Sequence, residues 1–208
     1  MSSYTSDGES PNRGKILVSD SGSVVVGSSG FPLVADLLLK KEGGATSILI
    51  AISWTEQGKD LDTYTCLSVS TGQGVGYSQS REVSVTVPGS DSKVNLTWDS
   101  SDSTAVAGTE TVSVKTDDRL ALAWQQIHVS CNFYGRCLEG TRNDDDDDSC
   151  TPSGGPATIT VSGPGAGGTA FSGSVTVYPS TNYGSPASYG DPGAVVNFDR
   201  YGYIESIS

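Results

Sequence analysis

Carboxylate residues fall at three places that can converge on one metal ion. Asp60 and Asp62 are two positions apart, so their side chains point the same way if this segment is extended. A second acidic group follows Trp98, and a third lies in the segment Gly108-Thr109-Glu110. Calcium accepts about six to eight such hard oxygen ligands in a flexible geometry. The sequence therefore predicts a calcium site, with the alternative that these residues form turns and solvated loop charges. Its expected ligands are Asp60, Asp62, Asp99, Asp102 and Glu110.

A run of adjacent aspartates forms a second acidic feature. Like charges in such a run repel one another, which predicts a solvated loop unless cations screen it. A weak contact with divalent ions or with a mineral surface is the alternative function. The run comprises Asp144, Asp145, Asp146, Asp147 and Asp148.

Four cysteines, Cys66, Cys131, Cys137 and Cys150, are present in the chain. An even number in a β-rich sequence indicates an oxidising compartment and two disulfides. Three pairings are open, of which we favour Cys137 with Cys150, closing the acidic loop, and Cys66 with Cys131 on two buried strands. The alternative is four buried free thiols. The cysteine spacing and the presence of one histidine argue against structural zinc.

The triplet Asn95-Leu96-Thr97 matches the N-glycosylation sequon. It lies within a predicted strand, and such triplets arise by chance in chains rich in serine and threonine. Glycosylation of Asn95 is therefore expected only if the source is eukaryotic.

Tyrosines dominate the aromatic residues of the second half. On loops rich in Gly, Ser and Pro they can stack on sugars, pack against a neighbouring subunit, or simply anchor the loops. The segment 179–192 predicts a long loop, and loops of that length are usually functional or shared with a partner. These tyrosines are Tyr178, Tyr183, Tyr189, Tyr201 and Tyr203.

The sequence contains few residues in an arrangement typical of a catalytic site. His128 is the one histidine, on a predicted strand between Ile127 and Val129. No serine-hydrolase elbow, phosphate loop or zinc-protease motif occurs in the sequence. Carboxylates such as Glu56, Asp60 and Glu110 are numerous, but nothing singles out a glycosidase pair. We therefore expect a protein that is not an enzyme.

The order of Trp54, Asp60-Leu61-Asp62, an aspartate-bearing turn after Trp98 and Gly108-Thr109-Glu110 resembles the YfaP-like domain over about residues 45–180. The resemblance implies a β-sandwich module of secreted and cell-surface proteins, without established catalytic activity. This chain has Tyr64 where that family usually has a histidine, and Thr109 where it has proline. The tellurium-resistance TerD-like domain, a calcium-binding sandwich, is also similar in its Trp and Asp-Leu-Asp. The cysteines and the Gly/Pro-rich second half argue against TerD.

The composition excludes several classes of partner. The chain has 208 residues and a net charge of −12, from 24 acidic and 12 basic residues. This charge repels a nucleic-acid backbone, so nucleic-acid binding is not expected. No stretch approaches the roughly 20 apolar residues of a membrane span. The polar N-terminus shows no apolar signal core, which leaves open whether a leader was removed.

Short runs of Val, Ile, Thr and Tyr, cut by Gly, Pro, Asn and Asp, predict an all-β fold. In Ser47–Trp54 the residues Ile48, Ile50, Ile52 and Trp54 share one face. Strand spacing favours an antiparallel two-sheet β-sandwich with long Gly/Pro/Ser-rich loops. We expect a flexible polar arm over 1–14 and one sandwich domain over 15–208. Further strands are expected at 33–39, 61–70, 82–87, 93–98, 110–115, 120–134, 157–161, 172–178 and 194–198.

Three functions follow as hypotheses. The first is a non-catalytic, calcium-assisted module for adhesion or surface assembly outside the cell or on its surface. The second is a self-assembling structural subunit of a filament, surface layer or virion. The third is a carbohydrate-binding module that uses the tyrosine loops. The expected partners are other protein subunits or glycans.

Overall fold

The structure is a computed structural model that describes most of the second and third quarters of the chain and nearly all of its end. Contacts divide the chain into two compact units, Met1–Lys41 and Glu42–Ser208. The described residues are 2–4, 16–18, 24–26, 44–55, 60–77, 79–88, 91–99, 108–134, 155–182 and 186–208.

The first unit contains a three-stranded antiparallel sheet. Its strands are β1 (Ser2–Tyr4), β2 (Ile16–Val18) and β3 (Val24–Val26), with β2 in the middle. Ser3 pairs with Leu17, which in turn pairs with Val25. β1 lies within the residues expected to form the polar arm. The boundary at residue 15 stays a prediction.

The second unit contains twelve strands among the described residues and three short 3-10 turns. The turns are Ser68–Ser70, Arg119–Leu122 and Ala166–Gly168. The strands are β4 (Thr46–Trp54), β5 (Asp60–Leu67), β6 (Gly74–Gly76), β7 (Glu82–Thr86), β8 (Lys93–Asp99), β9 (Gly108–Thr116), β10 (Gln126–Tyr134), β11 (Ala157–Pro164), β12 (Ala170–Val177), β13 (Ser180–Asn182), β14 (Gly193–Phe198) and β15 (Ile204–Ile207).

These strands form two six-stranded sheets. Sheet one has the order β12-β11-β4-β9-β8-β7, and all of its pairs are antiparallel. Sheet two has the order β15-β14-β10-β5-β6, and β13 joins it by a short parallel pairing with β10. None of the helices in the described part of the chain is long and apolar enough to span a membrane.

Period-two alternation builds the core between the two sheets. In β4 the side chains of Ile48, Ile50 and Ile52 are buried, and those between them are exposed or half-buried. Facing them, Val129 of β10 and Val196 of β14 come from the opposite sheet into the same core. The predicted all-β antiparallel two-sheet sandwich is confirmed.

Local differences from the predicted elements have simple causes. The expected long strand over residues 120–134 begins only at Gln126, because a 3-10 turn and a tight turn precede it. β6, β13 and β15 were not predicted, since strands of three or four residues offer too little alternation. The strand expected over 33–39 lies outside the described residues.

Candidate functional site

Glu110, an expected calcium ligand, lies in the core between the two sheets. It begins the buried face of β9 that continues with Val112 and Val114, and it is almost fully buried. Its Oε2 atom accepts hydrogen bonds from Thr63 Oγ1 of sheet two at 2.5 Å and from Trp98 Nε1 of β8 at 3.1 Å. This carboxyl group thus links the two sheets.

Two other expected calcium ligands, Asp62 and Asp99, lie away from Glu110. Asp62 is buried, but it alternates with Leu61 and Thr63 on β5 and therefore faces away from Glu110. Asp99 is exposed at the end of β8. The side chain of Asp60 and the whole of Asp102 lie outside the described residues. Within the described part of the chain, no group of three His, Cys, Asp or Glu residues is arranged to hold a metal.

Both described cysteines are buried free thiols. Cys131 points into the core, whereas Cys66 packs with Tyr64 and Ala187 on the outer face of sheet two. Opposite faces of neighbouring strands cannot be bridged, so the expected Cys66–Cys131 disulfide does not form in this structure. Burial raises the pKa of Cys66 to about 11 and is the main cause that raises the pKa of Cys131 to about 12. Cys137 and Cys150 lie outside the described residues, and their pairing stays a prediction.

His128 lies on the outer face of sheet two, beside a small cavity of about 220 Å³. Tyr189 stands edge-on to its imidazole, with ring centroids 5.1 Å apart. Burial lowers the pKa of His128. Ser130 and Asp191 also line the cavity, but the Asp191 carboxylate accepts hydrogen bonds from Ser188. The cavity therefore places polar groups together without a hydrogen bond between His128 and Ser130 among the described contacts.

Other predicted residues in the described part of the chain lie at separate places on the surface. Asn95 is exposed on β8, which leaves its glycosylation a prediction. Tyr178 is 71% exposed and Tyr189 is 49% exposed, so both are accessible to a ligand. The acidic run Asp144–Asp148 and Tyr183 lie outside the described residues. The predicted loop over 179–192 contains β13, which the sequence pattern did not indicate.

Trp124 occupies an unusual turn between β9 and β10. Leu122–Gln125 forms a type II β-turn: Gln125 N–H donates to Leu122 O at 2.9 Å, and Ala123 has φ −56° and ψ 124°. The third residue of this turn needs a positive φ and is usually glycine. Here it is Trp124, at φ 60°, with 74% of its side chain exposed. Tryptophan, the largest side chain, is thus exposed to solvent at a turn position that favours glycine.

The turn between β14 and β15 contacts the backbone of Trp124. Trp124 N–H donates to Asp199 O at 3.2 Å. Asp199 Oδ1 accepts from the N–H groups of Tyr201 and Tyr203, at 2.8 and 2.9 Å. Gly202 has φ 74°, and a Cβ at this position would lie 2.0 Å from Arg119 O. The two turns are therefore fitted closely to each other, and glycine is required where they touch.

Two guanidinium groups stack on the tyrosines of this turn. Arg119 lies 3.7 Å from the ring centroid of Tyr203 and donates from Nε to Tyr201 O at 2.8 Å. Arg200 lies 4.7 Å from the ring centroid of Tyr201, which is 45% exposed. Such cation–π contacts orient both partners. We call Arg119, Trp124, Arg200, Tyr201 and Tyr203 the aromatic loop surface.

The outer face of sheet one carries a second regular surface. Across β12, β11, β4 and β9 three rows of paired residues contain ten hydroxyl side chains, Leu49 and Ala51, and no charge. We call these twelve residues the hydroxyl face. The rows are Ser172, Ser162, Leu49 and Ser113; Ser174, Thr160, Ala51 and Thr111; and Thr176, Thr158, Ser53 and Thr109.

Tyr201 and Tyr203 are among the tyrosines for which sugar stacking, subunit packing and loop anchoring were open predictions, whereas Trp124 was not predicted as a site residue. The segment Leu120–Trp124 lacks the alternation of a strand, and Asp118 precedes it as a capping residue, accepting from Leu120 N–H at 3.0 Å. Those two signals indicate a turn before β10, but neither its type nor the exposure of Trp124.

Comparisons with known proteins gave no match. No protein-family model fits the chain, and no curated protein or solved structure is significantly similar to it. The resemblance to the YfaP-like domain therefore stays a prediction.

Proposed function

We propose that this chain is a non-catalytic β-sandwich module that serves adhesion or surface assembly outside the cell. The observation that carries the proposal is the aromatic loop surface, above all the exposed Trp124 in a turn position that favours glycine. An exposed indole in a left-handed conformation costs conformational energy and gains little burial. Such a residue is best explained by contact with a partner, since backbone strain without such a contact would only lower stability.

The sandwich suits this role because its core fixes the loops. Backbone hydrogen bonds from Trp124 N–H and Phe198 N–H, to Asp199 O and Gln125 O, join the two turns. A binding surface that is already rigid loses less conformational entropy when the partner docks. The aromatic loop surface is therefore preorganised for recognition.

Binding of the labelled protein to cells of the source organism tests this proposal. We expect saturable binding that Trp124→Gly abolishes. Tyr178→Ala is the matched control, because Tyr178 is 71% exposed but belongs to the segment after β12. Cells that bind neither wild type nor control, or that bind all three proteins alike, would refute the proposal.

Calcium assistance forms part of the same proposal and has its own test. Asp99 ends β8, Asp102 follows it three positions later in the sequence, and Asp60 begins β5. A ligand at about 100 times its dissociation constant adds about 2.7 kcal/mol to the free energy of unfolding. We expect calcium, but not magnesium, to raise the unfolding midpoint above that in EGTA, and Asp60→Asn and Asp102→Asn to remove the rise. Identical midpoints in calcium and EGTA would contradict calcium assistance.

A second candidate function is a self-assembling structural subunit, which the hydroxyl face favours. Copies with a net charge of −12 repel each other, and this face brings no charged group into a contact between two copies. Sedimentation velocity over a wide concentration range tests it. We expect association that Thr160→Glu prevents and Thr160→Val preserves, since only the first places a charge in the middle of the face. A monomer at every concentration would rule this function out.

A further inference from the structure

We infer that the aromatic loop surface binds a neutral carbohydrate, with the indole of Trp124 stacked against one sugar ring. This inference rests on the proposed function and names the chemical class of its partner. A pyranose ring has an apolar face of C–H groups and a rim of hydroxyl groups. It therefore needs an exposed aromatic plane with hydrogen-bonding groups of both kinds around it.

The aromatic plane is present, and the backbone that carries it is held by hydrogen bonds. Trp124 is 74% exposed, and its backbone is fixed on both sides, by the hydrogen bond of its N–H to Asp199 O and by the turn bond from Gln125 N–H to Leu122 O. Tyr201, 45% exposed, adds a second ring on the neighbouring turn. Two rigid aromatic side chains bring large contact area at a small cost in side-chain entropy.

Charged groups of both signs lie on the two connections that carry Trp124 and Tyr201, β9 to β10 and β14 to β15. Arg119 uses only Nε in its hydrogen bonds among the described residues, so its terminal amino groups remain as donors. Arg200 is exposed and held above Tyr201. The same two connections carry three carboxylates, of which those of Asp118 and Asp199 already accept backbone N–H groups. The charged residues of both connections are Asp117, Asp118, Arg119, Asp199 and Arg200.

This balance of charge selects a neutral ligand. A nucleic acid or another polyanion would meet three carboxylates here and a net charge of −12 on the whole chain. An anionic membrane surface would require an excess of basic residues near the exposed aromatics. A neutral polyhydroxylated ligand uses donors and acceptors alike and is not repelled. The mixed charge of the two connections that carry Trp124 and Tyr201 therefore fits a neutral sugar better than these alternatives.

Tryptophan fluorescence offers a direct readout, because two of the three tryptophans are buried and shielded from a quencher in solution. Trp54 and Trp98 are 3% and 5% exposed, whereas Trp124 is 74% exposed. Quenching by acrylamide therefore reports mainly on Trp124. We expect soluble oligosaccharides of at least one class among glucans, mannans, galactans and chitin fragments to shift the emission to shorter wavelength and to reduce the quenching.

Affinity electrophoresis in gels containing the corresponding polysaccharides gives the second readout. We expect Trp124→Gly to weaken the retardation about tenfold or more, Trp124→Phe to restore part of it, and Tyr178→Ala to leave it unchanged. Retardation that Trp124→Gly leaves unchanged would overturn the inference. So would an emission shift produced by phosphatidylcholine vesicles and by no oligosaccharide.

The same experiment separates this inference from the proposed function. Periodate treatment of the source cells destroys sugar diols, whereas protease treatment removes proteins. We expect binding to survive protease and to be lost after periodate. If binding that depends on Trp124 is lost after protease alone, the partner is a protein. The carbohydrate inference then fails while the adhesion function stands. Absence of any binding to the cells overturns both.

Discussion

Replacing Trp124 with glycine tests whether this indole is kept for the fold or for a partner. Relief of the left-handed backbone at φ 60° contributes about 1–2 kcal/mol to folding. The greater freedom of glycine in the unfolded chain costs about 0.4–1 kcal/mol. A tryptophan side chain has a surface of roughly 250 Å², and since Trp124 is 74% exposed, only about a quarter of that area is buried in the folded protein. Losing this buried area in the variant costs about 1.5 kcal/mol. We therefore expect Trp124→Gly to lower the free energy of unfolding by about 1.5 kcal/mol or less.

Urea denaturation followed by circular dichroism measures this change. For a unit of this size each 1 kcal/mol corresponds to about 2–4 °C, so a melting curve should show a shift of a few degrees at most. Trp98→Ala is the reference, because Trp98 is buried and donates to Glu110, and its loss should cost about 3–5 kcal/mol. A loss of that size in Trp124→Gly would refute the reasoning and make Trp124 a structural residue.

Three further predictions concern the interior and the outer face of sheet two. Thr63→Val leaves the buried Glu110 without its hydroxyl donor and should lower the free energy of unfolding by about 1–3 kcal/mol in urea titrations; an unchanged midpoint would contradict the link between the sheets. Burial lowers the pKa of His128 in the folded protein below its ordinary value of 6.5. In the interval between the folded and the unfolded pKa, the unfolded chain therefore binds more protons than the folded protein. Wild type should therefore lose stability relative to His128→Gln as the pH falls through that interval, and parallel pH profiles would be evidence against it. Cys66 and Cys131 should react with iodoacetamide only after unfolding, without reductant, as mapped by peptide mass; rapid labelling of the native protein, or none after unfolding, would contradict buried free thiols.

The strands that build the core were predictable from the sequence, because burial follows their alternation. The segment Ser47–Trp54, with its isoleucines at every second position, differs by one residue from the observed β4. Residues 93–98 and 194–198 likewise agree with β8 and β14 to within one residue. What the alternation did not supply was the pairing order of the strands, which depends on contacts far apart in the chain.

The calcium site was predicted without regard to the face on which each carboxylate lies. Glu110 alternates with Val112 and Val114, and this pattern alone places it in the core. Asp62 lies between Leu61 and Thr63 of the buried face, so the same reasoning points it to the other side of β5. Spacing along the chain therefore identified carboxylates, which calcium accepts as ligands, but did not show on which side of its sheet each carboxylate lies.

The exposed Trp124 was not predictable from composition, because its position depends on a turn conformation. A type II turn normally signals itself by glycine at the third residue, and here tryptophan replaces that signal. The contact of this turn with Asp199, 75 positions later in the sequence, is likewise invisible in local patterns. Long-range backbone hydrogen bonds thus define the candidate site, and only the structure reveals them.

Paired binding isotherms of wild type and Trp124→Gly on cells of the source organism test the central claim most directly. Both proteins should fold alike, so any difference in binding reports on the aromatic loop surface. The adhesion account predicts that the apparent dissociation constant rises about tenfold or more in Trp124→Gly, while Tyr178→Ala matches wild type. Equal dissociation constants for wild type and Trp124→Gly would contradict it.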